Sequence, residues 1–387
     1  MNTVIKSNAH TNLLLATIGF VVTFANWGII SGIAPLLTQE LSLSATQTSI
    51  MVAIPVLLAA IGRIPMGIVT DQLGGRLVFS LLLILGIIPS MALAANHSYA
   101  SLLFWGLWLG MAGTSFAIGI TFVSQWFRPA NQGTVLGIFG VGNAGQSVAV
   151  LLGPLLAVTI GIAKTFFVFG CISLVWGLIF ALYAQNATVK KRRPPLEVSL
   201  KLLKQSVLPW VLSVFYSLTF GGFVTLSIYL PTLYTERFAL PATTAGALTA
   251  AFVVVATLSR PVGGWLSDRI GGRRLLRLVF IGIALLGWMI AMPSFSVFNL
   301  SVLGCAVLLG LGNAGVFKLV PEYFPRETGT VTGFVGAAGG LGGFFPPIML
   351  GIIKDAIGSY TLGFIFFTCF GVICLTILHH VSFPLKK

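Results

Sequence analysis

Apolar residues in this chain come in long runs rather than in alternation. Twelve such runs can be marked, near 12–37, 46–70, 76–95, 100–126, 132–159, 164–185, 208–234, 243–267, 275–293, 298–321, 328–353 and 360–383. The period-2 pattern of a membrane barrel is missing from them, so they predict helices. Each is close to the roughly 20 residues that cross a bilayer core. Polar breaks are short except for Gln185 to Ser206, which holds Lys190, Lys191, Arg192, Arg193, Pro194, Pro195, Lys201 and Lys204. The expected organisation is a six-helix half over 1–185, a linker over 186–206 and a second six-helix half over 207–387. The fold class is an all-α integral membrane protein. The first run continues past Phe20 to Leu37 with no small-residue cleavage site at signal-peptide distance, so it is expected to stay as a helix.

The two halves repeat each other. Gly62-Arg63-Ile64-Pro65-Met66-Gly67 and the following Asp71, Gly75 and Arg76 return as Ser259-Arg260-Pro261-Val262-Gly263-Gly264, Asp268, Gly272 and Arg273. Arg260 − Arg63, Gly264 − Gly67, Asp268 − Asp71, Gly272 − Gly75 and Arg273 − Arg76 all give 197. Such an offset implies two copies of one unit, hence two pseudo-symmetric halves. Each arginine stands eight residues before its aspartate, a rise of about 12 Å along a helix. If the aspartates mark the membrane surface, the arginines lie near mid-membrane, where a charge is costly and marks function. The two loops, with Gly67, Asp71, Gly75, Arg76, Gly264, Asp268, Gly272 and Arg273, are expected to latch a gate rather than touch substrate.

Composition agrees with the pattern. The chain is 57% hydrophobic and 8% charged, with mean hydropathy +1.01, where soluble domains carry about 25% charge. The net charge of +14 could point to nucleic acid, but its placement points to topology. With the linker inside, 16 of the 22 Lys and Arg fall on the cytoplasmic side, three (Lys164, Arg237, Lys354) outside, and three (Arg63, Arg260, Lys318) within spans. That asymmetry predicts both termini in the cytoplasm. The four cysteines lie in apolar runs without CxxC spacing, so no metal or cofactor site is expected. No nucleophile triad or phosphate loop marks an enzyme.

Two further segments are dense in glycine. One runs Gly133 to Gln146 with Gly137, Gly140, Gly142, Asn143 and Gly145. The other runs Gly329 to Pro347 with Gly333, Gly336, Gly339, Gly340, Gly342 and Gly343. Glycine at every third or fourth position lets helix backbones touch, and Asn143 adds an amide. A third glycine stretch with an amide is Gly310 to Gly315, around Asn313.

The twelve-span plan and the Gly67 to Arg76 loop resemble the major facilitator superfamily over the whole chain. Arg63, Arg260, the Gly-Asn-rich fifth span and the Gly-Gly-Phe-Phe-Pro segment of the eleventh resemble its nitrate/nitrite porter family. The resemblance implies that Arg63 and Arg260 are anion ligands, with Asn143, Gly140, Gly336 and Gly339 lining the path. It also implies that Tyr216 and Phe220 in span seven and Phe116 in span four wall a planar anion. A carrier of this kind needs no cofactor. Its expected partners are nitrate or nitrite and the bilayer, with no nucleic acid, as a monomer in the inner membrane.

The residues themselves allow that chemistry. Guanidinium is planar, charged and forked, and matches a flat oxyanion edge to edge. All eight acids (Glu40, Asp71, Glu197, Glu236, Asp268, Glu322, Glu327, Asp355) fall at predicted span ends or in loops, so no carboxylate is left at mid-membrane to neutralise the arginines. Lys318 is expected to snorkel to the surface or pair there. His10, His97, His379 and His380 also fall near ends or loops. The absence of an obvious proton relay leans toward nitrate/nitrite exchange, with nitrate–proton symport the alternative. Other readings are an anion channel and a carrier of drugs or organic anions.

Overall fold

The computed structural model describes residues 2–127, 132–187, 205–324 and 328–381. Most of the predicted linker, with Arg128, Arg326, Lys386 and Lys387, lies outside them, as do the side chains of Lys6 and Asp71. The described chain is helical and contains no strand.

The rods follow the predicted order. Span one is Asn2–Gly32 with Ala34–Leu41, span two Ala45–Ile61 with Arg63–Leu73, and span three Gly75–Leu85 with Ile87–Ala95. Span four is Tyr99–Leu109 and Ser115–Ser124 joined by the 3₁₀ turn Gly110–Thr114. Span five is Gln132–Gly140 and Gly145–Ile160 joined by the 3₁₀ turn Val141–Ala144. Spans six to ten are Ile162–Tyr183, Leu208–Phe238, Ala242–Ile270, Gly272–Ile290 and Phe295–Tyr323. Span eleven is Thr328–Gly342 with Phe345–Ile357, and span twelve is Thr361–His380. Among the described residues, ten helices are long and apolar enough to cross a membrane, and the bent second span makes an eleventh. The ninth, Gly272–Ile290, opens with Arg273, Arg274 and Arg277, which lower the hydropathy of its first two turns.

Breaks in the first half have local causes. Span two bends by 41° between Ile61 and Arg63. Pro65 has no N–H to give the Ile61 carbonyl, and its ring crowds that carbonyl. The loops after spans two and eight turn at Gly74 (φ +88°) and Gly271 (φ +86°), a left-handed backbone that glycine adopts without a Cβ penalty. Gly161 (φ +93°) and Gly358 (φ +76°) form a second such pair, and both pairs are separated by the same 197 residues.

The chain forms two compact units. The first comprises Met1–Ser42, Ile54–Arg192 and Leu230–Ala250; the second comprises Leu43–Ala53, Arg193–Tyr229 and Ala251–Lys387. The exchanged segment 43–53 maps onto 240–250 under the 197-residue offset. Inside the first unit, Phe20, Phe79, Phe122, Phe139, Phe166 and Phe180 are fully buried. Spans one and five meet backbone to backbone there: a Cβ at Gly145 would lie 2.0 Å from the Val21 carbonyl oxygen. The second unit buries Phe215, Phe252, Phe280 and Phe298. Within it, the start of span two is tied down twice. Ser44 and Gln47 form a capping box, with the Ser44 N–H donating to Gln47 Oε1 (2.9 Å) and the Gln47 N–H to Ser44 Oγ (3.2 Å). The N–H groups of Ala45 and Thr46 donate to the Asp355 carboxylate at 3.1 and 2.8 Å. Four N–H groups at the start of this helix thus have partners.

Candidate functional site

In the first unit the candidate residues gather at the helix breaks. Arg63 is the first residue after the bend in span two and is half-buried. Its guanidinium carbon lies 5.7 Å from the centre of the Phe116 ring, an attraction between cation and π-face. Phe116 follows the 3₁₀ turn of span four, and its ring stacks on Phe139 at 6.4 Å and 24°. Phe139 precedes Gly140, where span five breaks. Asn143 lies inside that break, 2% exposed, and its Nδ2 donates to the Gly140 carbonyl at 2.8 Å. Arg63, Phe116, Gly140 and Asn143 are thus linked through Phe139, and each sits at an interruption in its helix. Carriers place substrate groups at such discontinuities, because freed backbone and short polar side chains are tolerated there only when buried in protein or lining a cavity.

The second unit builds most of its cluster on the unbroken spans seven, eight and ten. Arg260 lies in span eight with Nε and Nη2 buried and without hydrogen-bond partners. Its guanidinium carbon is 5.6 Å from the Phe220 ring centre and 5.2 Å from that of Phe223. Tyr216 and Phe220, one turn apart on span seven, stack at 5.0 Å with their planes 1° apart. Phe317 of span ten closes on Tyr216 at 4.6 Å. Gly339 backs the same ring: a Cβ there would lie 2.2 Å from Tyr216 Cδ1. Arg260, Phe220, Tyr216 and Gly339 therefore form one contact chain. Three rings that the sequence reading did not single out belong to these clusters: Phe139, Phe223 and Phe317. Phe223 alone had a sequence signal, since it stands three residues after Phe220 on the same helical face.

Close packing explains only some of the glycines. A Cβ at Gly142 would run into Phe20 at 2.2 Å, and one at Gly342 would meet Ser217 at 2.7 Å. At Gly140 and Gly336, by contrast, a Cβ would meet nothing within 4 Å. The expectation that these two are glycine because their helices pack tightly is corrected: the room around them is open.

The two repeated loops are packed differently. In the first, a Cβ at Gly75 would strike Phe122 at 2.6 Å, and Gly67 is buried. Arg76 donates from Nε and Nη2 to the Ala181 carbonyl at 3.1 and 2.7 Å, and from its N–H to Asn186 Oδ1 at 2.9 Å. In the second, Gly272 approaches Leu319, with 2.9 Å to an added Cβ, while the room at Gly264 is open. Arg273 is exposed on the first turn of span nine. Lys318 donates from Nζ to Asp268 Oδ1, so the lysine predicted to snorkel or pair at the surface finds its acid in the last turn of span eight. A cavity of about 740 Å³, its open side included, lies among spans seven, eleven and twelve. It is lined by Ser217, Gly222, Thr225, Gly342, Pro346 and Phe367 among others, with no charged group and none of the residues of the two arginine clusters.

The sequence profile described as Major Facilitator Superfamily matches residues 16–347. The chain belongs to the major facilitator superfamily. Members of that superfamily are membrane carriers, not enzymes. Within it, this chain belongs with the nitrate/nitrite porters. It is 36% identical over 356 residues to the "Nitrite extrusion protein" of Bacillus subtilis, covering 92% of this chain and 90% of that one. It is 37% identical over 373 residues to the "Probable nitrate/nitrite transporter NarK2" of Mycobacterium tuberculosis, covering 94% of each. It is 35% identical over 381 residues to the "Probable nitrate transporter NarT" of Staphylococcus carnosus, covering 97% of each. Its fold resembles the crystal structure of a bacterial homolog of the human lysosomal transporter Spinster in an inward-facing, occupied conformation. The TM-score is 0.79 at 16% identity, over 96% of both chains.

Proposed function

We propose that this carrier moves nitrate and nitrite by alternating access, holding the anion with Arg63 and Arg260 and exchanging one anion for the other. The observation that carries the proposal is Arg260: two of its guanidinium nitrogens are buried without a protein partner, between two aromatic rings. A buried guanidinium without a counter-ion is expensive, and an oxyanion supplies both the charge and the hydrogen-bond acceptors. Arg63, beside Phe116, occupies the matching place in the repeat. The names of the relatives support nitrate and nitrite as the anions. Aromatic walls favour a weakly hydrated anion over one such as sulfate, whose desolvation costs more.

Exchange follows from charge. With both arginines empty the site carries +2, and one monovalent anion lowers it to +1. Return of the carrier is then faster with an anion aboard. The four histidines and eight acids fall near span ends or in loops, which leaves no obvious mid-membrane group to carry a proton. Asn143, Gly140, Gly336 and Gly339 line the path. The two repeated loops latch a gate at the cytoplasmic face, and both termini lie in the cytoplasm, as the lysine and arginine asymmetry requires.

Proteoliposomes test this directly. Vesicles loaded with nitrite take up nitrate faster than empty ones, with or without a pH gradient. Uptake into anion-free vesicles driven by an inward proton gradient alone would make the protein a symporter and overturn exchange. Arg63→Lys and Arg260→Lys keep the charge but lose the planar fork. Hydrogen bonds to charged groups contribute about 1.5–3 kcal/mol, so each variant is expected to lose ten- to a hundredfold in nitrate affinity.

A further inference from the structure

Asn313, in span ten, is 3% exposed, and neither its amide nitrogen nor its amide oxygen has a partner. Burying an amide with both atoms unpaired is costly, and a protein that keeps one generally has a ligand, ion or water to satisfy it. The surrounding contacts say where this amide lies. Gly312 faces Thr219 of span seven, with 2.5 Å from an added Cβ to Thr219 Cγ2, while Phe317 packs on Tyr216. Rising numbers on span ten therefore meet falling numbers on span seven. Asn313 lies one turn before Phe317 on the same face, and Phe220 lies one turn after Tyr216. Asn313 is thus level with Phe220, whose ring contacts Arg260. Span ten also packs on the stretch of span eight that carries Arg260. A Cβ at Gly310 would meet the Ala256 carbonyl at 2.3 Å and Ser259 Cβ at 2.7 Å. The 197-residue offset that carries Arg63 onto Arg260 carries Phe116, the ring on Arg63, onto Asn313.

We infer that Asn313 is a further substrate ligand and a selectivity residue: its amide N–H donates to an oxygen of the oxyanion held by Arg260. This rests on the reading of Arg260 as an anion ligand. The edge of one guanidinium takes two oxygens of a planar anion. Nitrate then has a third oxygen that needs another donor, whereas nitrite has none. Asn313 therefore favours nitrate over nitrite.

The test is nitrate and nitrite binding to the purified full chain, by calorimetry and by the rise in Tm with each anion. Asn313→Ala is expected to weaken nitrate at least tenfold and nitrite less, while the Tm without anion does not fall, because the amide has no partner in the protein to lose. Asn313→Leu, similar in size and without hydrogen-bonding groups, should do the same. Arg260→Gln is measured alongside. If it loses nitrate while both Asn313 variants bind nitrate within twofold of the parent at an unchanged nitrate-to-nitrite ratio, Asn313 is not a ligand and Arg260 remains one. If Arg260→Gln binds normally, the underlying assignment falls and this inference with it. A drop in anion-free Tm in both Asn313 variants, with the anion ratio unchanged, would make the amide structural and overturn the inference.

Discussion

Gly339→Ala is the smallest change that strikes the aromatic floor of the second cluster. The added carbon would sit 2.2 Å from Tyr216 Cδ1 and 2.6 Å from Cε1. Reaching the 3.4 Å at which ordinary contact begins requires 3.4 − 2.2, or 1.2 Å of movement. The tyrosine has little room for it. It is 3% exposed, with Phe220 stacked on one side at 5.0 Å and Phe317 packed against it at 4.6 Å. A shift of Tyr216 therefore passes to Phe220, and Phe220 bounds Arg260. Overpacking a filled site costs about 1–3 kcal/mol, while Gly→Ala in a helix returns about 1 kcal/mol, so the net loss of stability is about 0–2 kcal/mol. Gly336→Ala, one turn earlier on the same helix, meets nothing within 4 Å and should keep the helical gain. In nitrate counterflow and thermal unfolding, Gly339→Ala is expected to lower Tm by an amount corresponding to up to about 2 kcal/mol, and to lower nitrate affinity through the displaced Tyr216 and Phe220. Gly336→Ala should hold or raise Tm and keep affinity. Parental affinity in Gly339→Ala together with loss in Gly336→Ala would refute the packing argument.

Other positions give narrower expectations. Asp355→Asn weakens the acceptors of the Ala45 and Thr46 N–H groups; it should lower stability by about 0.5–2 kcal/mol, read as a drop in Tm that Asp355→Glu partly restores. Lys318→Ala breaks an ion pair whose side chains are 40% and 63% exposed. Its effect on Tm should therefore be within that of a surface pair, about 0–1 kcal/mol. If the pair latches a gate, the exchange rate changes while nitrate affinity does not, and the double charge swap of Lys318 and Asp268 returns it. Gly271→Ala forces a side chain to φ +86° and should cost about 1–2 kcal/mol, whereas the same change at Gly264, which has open room, should not. Equal losses at both would contradict the assignment of the turn.

The sequence by itself determined the class, the number of rods and the repeat. Long apolar runs can satisfy their backbone in a bilayer only as helices, and a constant offset of 197 gives Arg63 and Arg260 matching positions in the repeated sequence. It also located the loops, because Gly74 and Gly271 stand where the backbone must turn left-handed. Three things needed the tertiary structure. The helix breaks at Arg63, Phe116 and Asn143 arise from Pro65 and from runs of small residues, whose preference between α and 3₁₀ turns depends on the neighbours they pack against. The roles of the glycines divided only when their surroundings were known: a Cβ at Gly339 would strike the Tyr216 ring and one at Gly336 would meet nothing within 4 Å, although sequence spacing treats them alike. Several partners of the aromatics, and the surroundings that bury the Asn313 amide, came from other helices. Among 30 phenylalanines, no periodicity could choose Phe139 and Phe317, because a ring's function depends on which distant helix brings a charge or a second ring to its face.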